Sequence, residues 1–458
     1  MTAPVPPAVL RPRQVFTTWW PLAASWLLMG LELPAVAATM ARLPEPRVSL
    51  AAYGGVVFPL ALLIESPIVM LLAASTAVAR DWTSYRVVRR FMLTTSLALT
   101  ALHALIAFTP LYDLVVAGLL GVPDEIRDPA RVGLQIMLPW TFSIAYRRTQ
   151  QGVLIRNGHS RAVGIGTGIR LAATALVLVV GMIAGHLPGI VIGTLAVAAG
   201  VASEAVYAAV RVHSVLHNQV RPAPSVDPPL TMARFVKFYL PLSVTPLIVF
   251  LAMPMSSAAM SRMARPLDSL AAWPVVSGLI FTLRSSGFAL NEVVVALLDR
   301  PGAATALRRF AQMLAAVTTG LLLLVAITPL SGLWFGRISA LAPDLEALAR
   351  SGLWVGITLP ALTVLQNLYQ GVVVHSHRTR GVTEAVLIYL LTSAAVLGAG
   401  VRWVSFPGLY VALASMVVGS VLMVAWLRLR AAPELRALDA GDRAQPVAAP
   451  EYSGSEVT

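Results

Sequence analysis

Ser49-Leu50-Ala51-Ala52-Tyr53 in the first half of the chain returns as Ser269-Leu270-Ala271-Ala272-Trp273 in the second, 220 residues later. Upstream the register is the same: Pro21-Leu22 faces Pro241-Leu242, Pro34 faces Pro254, Met40 faces Met260 and Arg42 faces Arg262. Downstream the register becomes 219. Arg89-Arg90-Phe91 faces Arg308-Arg309-Phe310, Thr109-Pro110-Leu111 faces Thr328-Pro329-Leu330, Gln151-Gly152-Val153 faces Gln370-Gly371-Val372, and Arg161 faces Arg380. Apolar segments resemble one another by chance. A register held through Pro, Arg and Gln over so long a stretch marks an internal repeat.

The repeated unit is built for lipid. The 458 residues are 57% hydrophobic and only 12% charged, with a mean hydropathy of +0.77, whereas a soluble domain carries about 25% charged residues. The apolar blocks, such as 93–107, 171–184 and 314–327, are continuous rather than alternating. Runs of about twenty such residues span the roughly 30 Å hydrocarbon core as helices, and a spanning helix satisfies its own backbone. Helices are expected at about 18–40, 50–78, 91–118, 132–156, 162–185, 188–212, 237–260, 269–298, 308–331, 350–374, 381–402 and 407–428. The first of them has no short apolar core with a cleavage site ahead of it, so it is read as retained. The expectation is an all-α integral membrane protein of about twelve transmembrane helices. Residues 1–216 form one six-helix bundle, 217–236 a Pro-rich linker and 237–431 a second bundle, with a polar, disordered tail from 432 to 458.

Six is even, so both bundles start and finish on the same side of the membrane. They are parallel repeats about an axis along the membrane normal, with a substrate path between them near the midplane. Of the 34 Lys and Arg, nine fall on the odd-numbered connections. Two are read inside helices, Arg170 and Arg284. The rest fall on the N-terminus, the even-numbered connections and the C-terminus, which puts both termini in the cytoplasm. The net charge of +13 is thus a membrane-orientation signal rather than a nucleic-acid footprint. Arg-rich, Lys-poor and Cys-free usage points to a GC-rich bacterium, and so to its inner membrane.

Several chemistries are excluded. There is no Cys, hence no disulfide and no thiolate metal site. The single lysine, Lys237, has no Gly before it, so no nucleotide-binding Gly-Lys-Ser/Thr loop exists. The metalloprotease and nucleophile-elbow motifs are missing. No enzyme activity, metal or cofactor is expected, and transport would run on an ion or substrate gradient or be facilitative.

A charge inside hydrocarbon costs about 2.5–3.5 kcal/mol on insertion scales, so it turns toward a cavity or a partner. Glu32, Glu65, Arg170, Glu204, Arg284 and Glu292 are the candidates. The repeat gives Glu65 and Arg284 nearly equal depth on opposite sides of the axis. On one reading Arg284 offers five donors and a fixed charge to an anionic substrate. Glu65 then pairs with it in the empty site or exchanges a proton. On the other, the two form a static ion pair that locks one state. Asn291 and Glu292 extend the lining toward the cytoplasm, or Glu292 locks two helices together. Glu32, close before Pro34, suits a cation or proton site where a bend frees carbonyls. Arg170 and Glu204, on consecutive helices of one half, suit a salt bridge within that half.

Ser49-Leu50-Ala51-Ala52-Tyr53-Gly54 and Gln151-Gly152-Val153-Leu154-Ile155-Arg156 resemble the multidrug/oligosaccharidyl-lipid/polysaccharide (MOP) exporter superfamily, which includes the multidrug and toxic compound extrusion (MATE) transporters. Leu102-His103-Ala104-Leu105-Ile106-Ala107-Phe108 and Tyr112-Asp113-Leu114 are similar to the progressive ankylosis family within it. The resemblance covers about residues 20–430. It implies a cleft lined by the first, second, seventh and eighth helices. It also implies export of small anions of the pyrophosphate, ATP and citrate class. A monomer is expected, with membrane lipids around it and a coupling proton or sodium ion as partners. Two other functions fit the residues. A cation-coupled multidrug exporter would use Glu32, Glu65 and Glu292, and a lipid-linked precursor flippase would need a lateral opening and an Arg-rich cleft.

Overall fold

The computed structural model describes residues 10–376, 380–402 and 405–444, and these form helices and no strand. Among the described residues, twelve long helical elements follow the chain, with short helical turns at 111–120 and 330–338 besides. The first half has α1 (Pro12–Met40), α2 (Pro46–Val78), α3 (Trp82–Phe108), α4 (Asp124–Ile136 and Leu138–Arg156), α5 (Ser160–Ala184) and α6 (Gly189–Val220). The second has α7 (Met232–Met260), α8 (Pro266–Leu297), α9 (Ala303–Ile327), α10 (Pro343–Val355 and Leu359–His375), α11 (Arg380–Arg402) and α12 (Gly408–Ala444).

Ten of these are long and apolar enough to cross a membrane, and α10, bent by 40°, makes an eleventh. The twelfth, α4, is too polar to pass on composition. Its polar residues face protein instead of lipid: Arg147, Thr149, Gln150 and Gln151 are all buried, against α2, α3 and α6. Several boundaries differ from expectation: α3 starts at Trp82 and ends at Phe108, against 91–118, and α6 runs on to Val220, into the expected linker. Helix α7 begins at Met232, inside the expected linker. Helix α12 runs on to Ala444, past the expected end at 431, because Ala431 and Leu435 still have an apolar surface to cover. Residues 445–458 of the expected tail lie outside the described residues.

The step in register from 220 to 219 has a visible origin. Helix α8 is one unbroken α-helix, while α2 holds a π-turn at Tyr53–Val57. A π-turn takes in one residue more than an α-turn without breaking the helix. Beyond it, Glu65 corresponds to Arg284 at a spacing of 219. Other equivalences are structural. Glu45 (φ 54°) and Arg265 (φ 53°) both adopt the left-handed region just before a proline, at about 1–2 kcal/mol each. The preceding carbonyls, of Pro44 and Ala264, accept from the N–H groups of Gly189 (3.2 Å) and Gly408 (3.3 Å). A side chain at either glycine would sit 2.8 Å from the backbone of Met40 or Met260, so only glycine allows this approach.

The first helix of each half also reaches across to the other half. Trp19 on α1 donates to the carbonyl of Ser286 on α8 at 2.9 Å and meets the Phe310 ring of α9 edge-on at 5.4 Å. Its equivalent on α7, Tyr239, donates to the carbonyl of Pro67 on α2 at 2.6 Å and meets Phe91 of α3 edge-on at 5.0 Å. At the opposite end, Arg42 Nη2 donates to the carbonyl of Arg337 at 2.5 Å. Arg262, its equivalent, donates to the carbonyls of Leu120 and Leu119, both at 2.8 Å. Arg47 bridges to Asp268 at 3.1 Å and to Asp344. These bonds join the halves at the end that the charge pattern assigns to the outside. There too, α2 and α8 touch, with Gly54 against Pro274 and Gly55 against Leu270.

On the other side, Asp81 caps α3 and tethers the connection between the halves. One carboxylate oxygen accepts from Ser84 N at 2.7 Å and from the Ser84 hydroxyl, the other from Val226 N at 3.0 Å. Burial pushes this carboxyl up, but the hydrogen bonds outweigh it and hold the group below the usual carboxylate range. Its contribution is therefore present above the unfolded carboxyl pKa and is lost as pH falls through the lowered folded value. Asp81→Ala is expected to cost about 1–2 kcal/mol and to expose residues 221–231 to protease. Thermal unfolding in detergent should show the gap between variant and parent closing below about pH 4. An unchanged cleavage rate would mean that the tether does not hold the connection.

Candidate functional site

The first half encloses a charge network drawn from five helices. Glu204 on α6, with no exposed surface, accepts from Arg147 Nη1 at 2.6 Å and from Gln151 Nε2 at 2.8 Å. Arg147 and Gln151 are four apart on α4 and so share a face. Arg170 on α5 pairs through Nη2 with Glu32 of α1 at 2.9 Å, and Thr174, one turn on, donates to the other Glu32 oxygen at 3.2 Å. Arg170 Nε lies 3.9 Å from Glu204, which joins the two pairs. Glu65 on α2 is buried, with Arg148 and Arg147 as the neighbouring opposite charges. One of its carboxylate oxygens has no hydrogen-bond partner among the described residues, nor do the Tyr53 hydroxyl and the Nε groups of Arg147, Arg148 and Arg170. Three acids thus face three arginines. The surplus hydrogen-bonding groups converge on one polar interior, where buried polar atoms ordinarily find partners.

The second half repeats the place but not the charges. Arg284 on α8 is half-buried and donates from Nε to the hydroxyl of Thr363 on α10 at 2.6 Å. Tyr389 of α11 is the neighbouring titratable group. The repeat register puts Asn367 where the first half has Arg148, Tyr389 for Arg170, Ser393 for Thr174, Met423 for Glu204 and Ala252 for Glu32. No acid of the described residues pairs with Arg284. Asn367 is buried and donates to the carbonyl of Thr363 at 2.8 Å. The second interior therefore holds a cation among neutral hydroxyl and amide groups.

Several expectations change. Glu65 and Arg284 do not pair: each faces its own half, because rotation-related positions occupy the same place in different bundles. The Arg170–Glu204 bridge exists only as the long 3.9 Å contact, and each partner has a shorter one. Glu32 is a salt-bridge acceptor. Asn291 is half-buried with its Oδ1 unpartnered, but Glu292 is exposed. Helical geometry accounts for the split. Seven residues bring a side chain back to within about 20° of Arg284, and eight carry it about 80° round.

Neither a family model nor a curated protein matches this sequence. Solved structures do. An inward-facing multidrug resistance MATE family transporter of the MOP superfamily superposes with a TM-score of 0.70, over 91% of this chain and 99% of its own, at 15% identity. The fold is that of the MATE transporters. An outward-facing multidrug MATE structure gives 0.59 at 16% identity, over 93% of this chain and 96% of its own. A MOP superfamily transporter from Pyrococcus furiosus, described as having a binding pocket of reverse polarity, gives 0.61 at 14%, over 93% and 97%.

Within this MATE-like fold, Arg147, Arg148, Gln151, Tyr53, Thr363 and Tyr389 join the site beyond the residues expected from sequence. Arg147 and Arg148 fall inside the expected helix 132–156 yet are not among its intramembrane charges, since the charge count places them with the even-numbered connections. Arg147 lies nine residues before the end of its helix, about 14 Å deep at 1.5 Å per residue. Measuring depth along the helix would have found it.

Proposed function

We propose that this chain is a multi-pass membrane transporter in which two six-helix halves alternate access to small anions. The observation that carries this reading is Arg284. It is a cation in the interior of the second half with a hydroxyl partner and no acid among the described residues, at the position where the first half keeps its charges balanced. A half-buried cation without a carboxylate among the described residues suits an anionic solute whose oxygens complete its fork. The outer-end bonds of Arg42, Arg47 and Arg262, with the better match to the inward-facing structure, support a state open toward the cytoplasm. Both termini then lie in the cytoplasm of a bacterial inner membrane. Glu65, with a free carboxylate oxygen among arginines, is the group proposed to exchange a proton during transport. The progressive ankylosis resemblance proposes pyrophosphate, nucleoside triphosphates and citrate as the solute class.

Vesicles reconstituted with the purified chain test this. Labelled citrate, pyrophosphate or ATP should cross faster than in protein-free vesicles. A second reading, a cation-coupled multidrug exporter, is favoured by the unpartnered oxygen of Glu65 and by the multidrug transporters that share the fold. Movement of a cationic dye, with all three anions left behind, would replace the first reading by the second.

A further inference from the structure

The internal repeat supplies a control for one cavity at the end assigned to the cytoplasm. In the second half, Glu384 on α11 sits between two arginines. Its carboxylate lies 3.2 Å from Arg380 Nε and 2.5 Å from Arg430 Nη2, and it accepts from Trp426 Nε1 at 3.2 Å. Arg430 also stacks over the Trp426 ring at 4.9 Å. The positions 219 residues earlier are Arg161 for Arg380, Tyr207 for Trp426 and Arg211 for Arg430. Both cations and the aromatic ring are kept. The carboxylate is not: Ile165 stands in the place of Glu384.

Arg161, Ile165, Tyr207 and Arg211 line a cavity of about 540 Å³, together with His159 and Ser160 at the start of α5. Neither arginine pairs with an acid among the described residues. In the second half the same cations hold a carboxylate; in the first they face open space. We propose that this cavity binds a phosphate-type anion, whose oxygens take the position that Glu384 fills in the repeat.

Three features fit that ligand. Two arginines line the cavity, and guanidinium forks match phosphate oxygens. The N-terminus of a long helix opens at Ser160, where backbone N–H groups and the helix dipole add to the attraction. The wall is amphipathic. Ile165 is 57% exposed, and Val206 and Val210 beside Tyr207 and Arg211 are more exposed still. Basic side chains bordering a lipid-facing apolar surface mark headgroup depth. A lipid phosphate meets all three features, and a free phosphate meets the first two. The site is separate from Arg284 and does not depend on the transported solute.

The test uses the full chain in nanodiscs of phosphatidylcholine, and in discs of equal parts phosphatidylcholine and phosphatidylglycerol. Lipid retained after detergent exchange is counted by native mass spectrometry. Inorganic phosphate is added to the phosphatidylcholine discs, and the melting temperature is followed. The parent should retain phosphatidylglycerol in preference to phosphatidylcholine. Arg211→Gln and Ile165→Glu should each weaken that retention by about tenfold. Ile165→Glu rebuilds the carboxylate of the repeat, so it should also raise the melting temperature in phosphatidylcholine discs. If phosphatidylglycerol is not retained but inorganic phosphate protects the parent and not these variants, the site stands with a soluble ligand. Equal retention of both lipids with no effect of phosphate overturns the proposal. So does a folded Ile165→Glu or Arg211→Gln variant that holds the anion as the parent does.

Discussion

Glu204→Ala is expected to lower folding stability by about 3–5 kcal/mol, the range for removing one partner of a buried ion pair. Glu204 has no exposed surface and accepts from Arg147 and Gln151 while standing 3.9 Å from Arg170. Alanine leaves Arg147 desolvated beside Arg148 and Arg170, with two acids against three cations. Glu204→Gln keeps an acceptor for Gln151 and should lose less. The decisive measurement is a double-mutant cycle. Arg147→Met in the Glu204→Ala background should recover most of the stability, because the uncompensated charge leaves with it. A loss below about 1 kcal/mol for the single variant would place the network in water-like surroundings.

Arg284→Gln should have the opposite profile. Arg284 has a hydroxyl partner and no acid among the described residues, so its removal strands no carboxylate there. The variant's melting temperature should match or exceed the parent's, since even partial burial of a guanidinium without a counter-charge is costly. Anion transport in vesicles, by contrast, should fall by about ten- to hundredfold, the worth of one charged hydrogen-bonding group at 1.5–3 kcal/mol. Arg284→Lys keeps the charge and loses the fork, so its activity should lie between the two. Unimpaired transport by Arg284→Gln would remove the anion-binding role. Together the two variants separate stability from transport: one residue of the first half sustains the fold, and one of the second serves the solute.

What the sequence disclosed follows from what repeats. Helix-length apolar runs and the paired Pro, Arg and Gln positions are periodic, so the two six-helix units and the Glu65–Arg284 equivalence could be read directly. Contact between Glu65 and Arg284 could not be inferred, since equivalence under rotation fixes the same depth and face in each bundle and says nothing of nearness. The network around Glu204 was half legible. Glu32, Arg170 and Glu204 stand out as charges in apolar runs, whereas Arg147 and Arg148, inside the expected helix 132–156, lie in a polar stretch that makes them look like the charges of the connection after it. The register step was visible, but its cause was not: a π-turn leaves no composition signal at Tyr53–Val57, only the one-residue offset that follows it.

The clasps made by Arg42 and Arg262 have an evolutionary consequence. Their acceptors are main-chain carbonyls of the opposing bundle, which every residue type supplies. Drift in those loops leaves the acceptor chemistry intact, and so does acidification, because amide oxygens do not titrate in the physiological range. These two clasps thus depend on the two arginines alone, whereas the Arg47 bridges beside them also need Asp268 and Asp344. A gene duplication that copied one such arginine copied its counterpart too, giving a matched latch on both sides from a single ancestral residue.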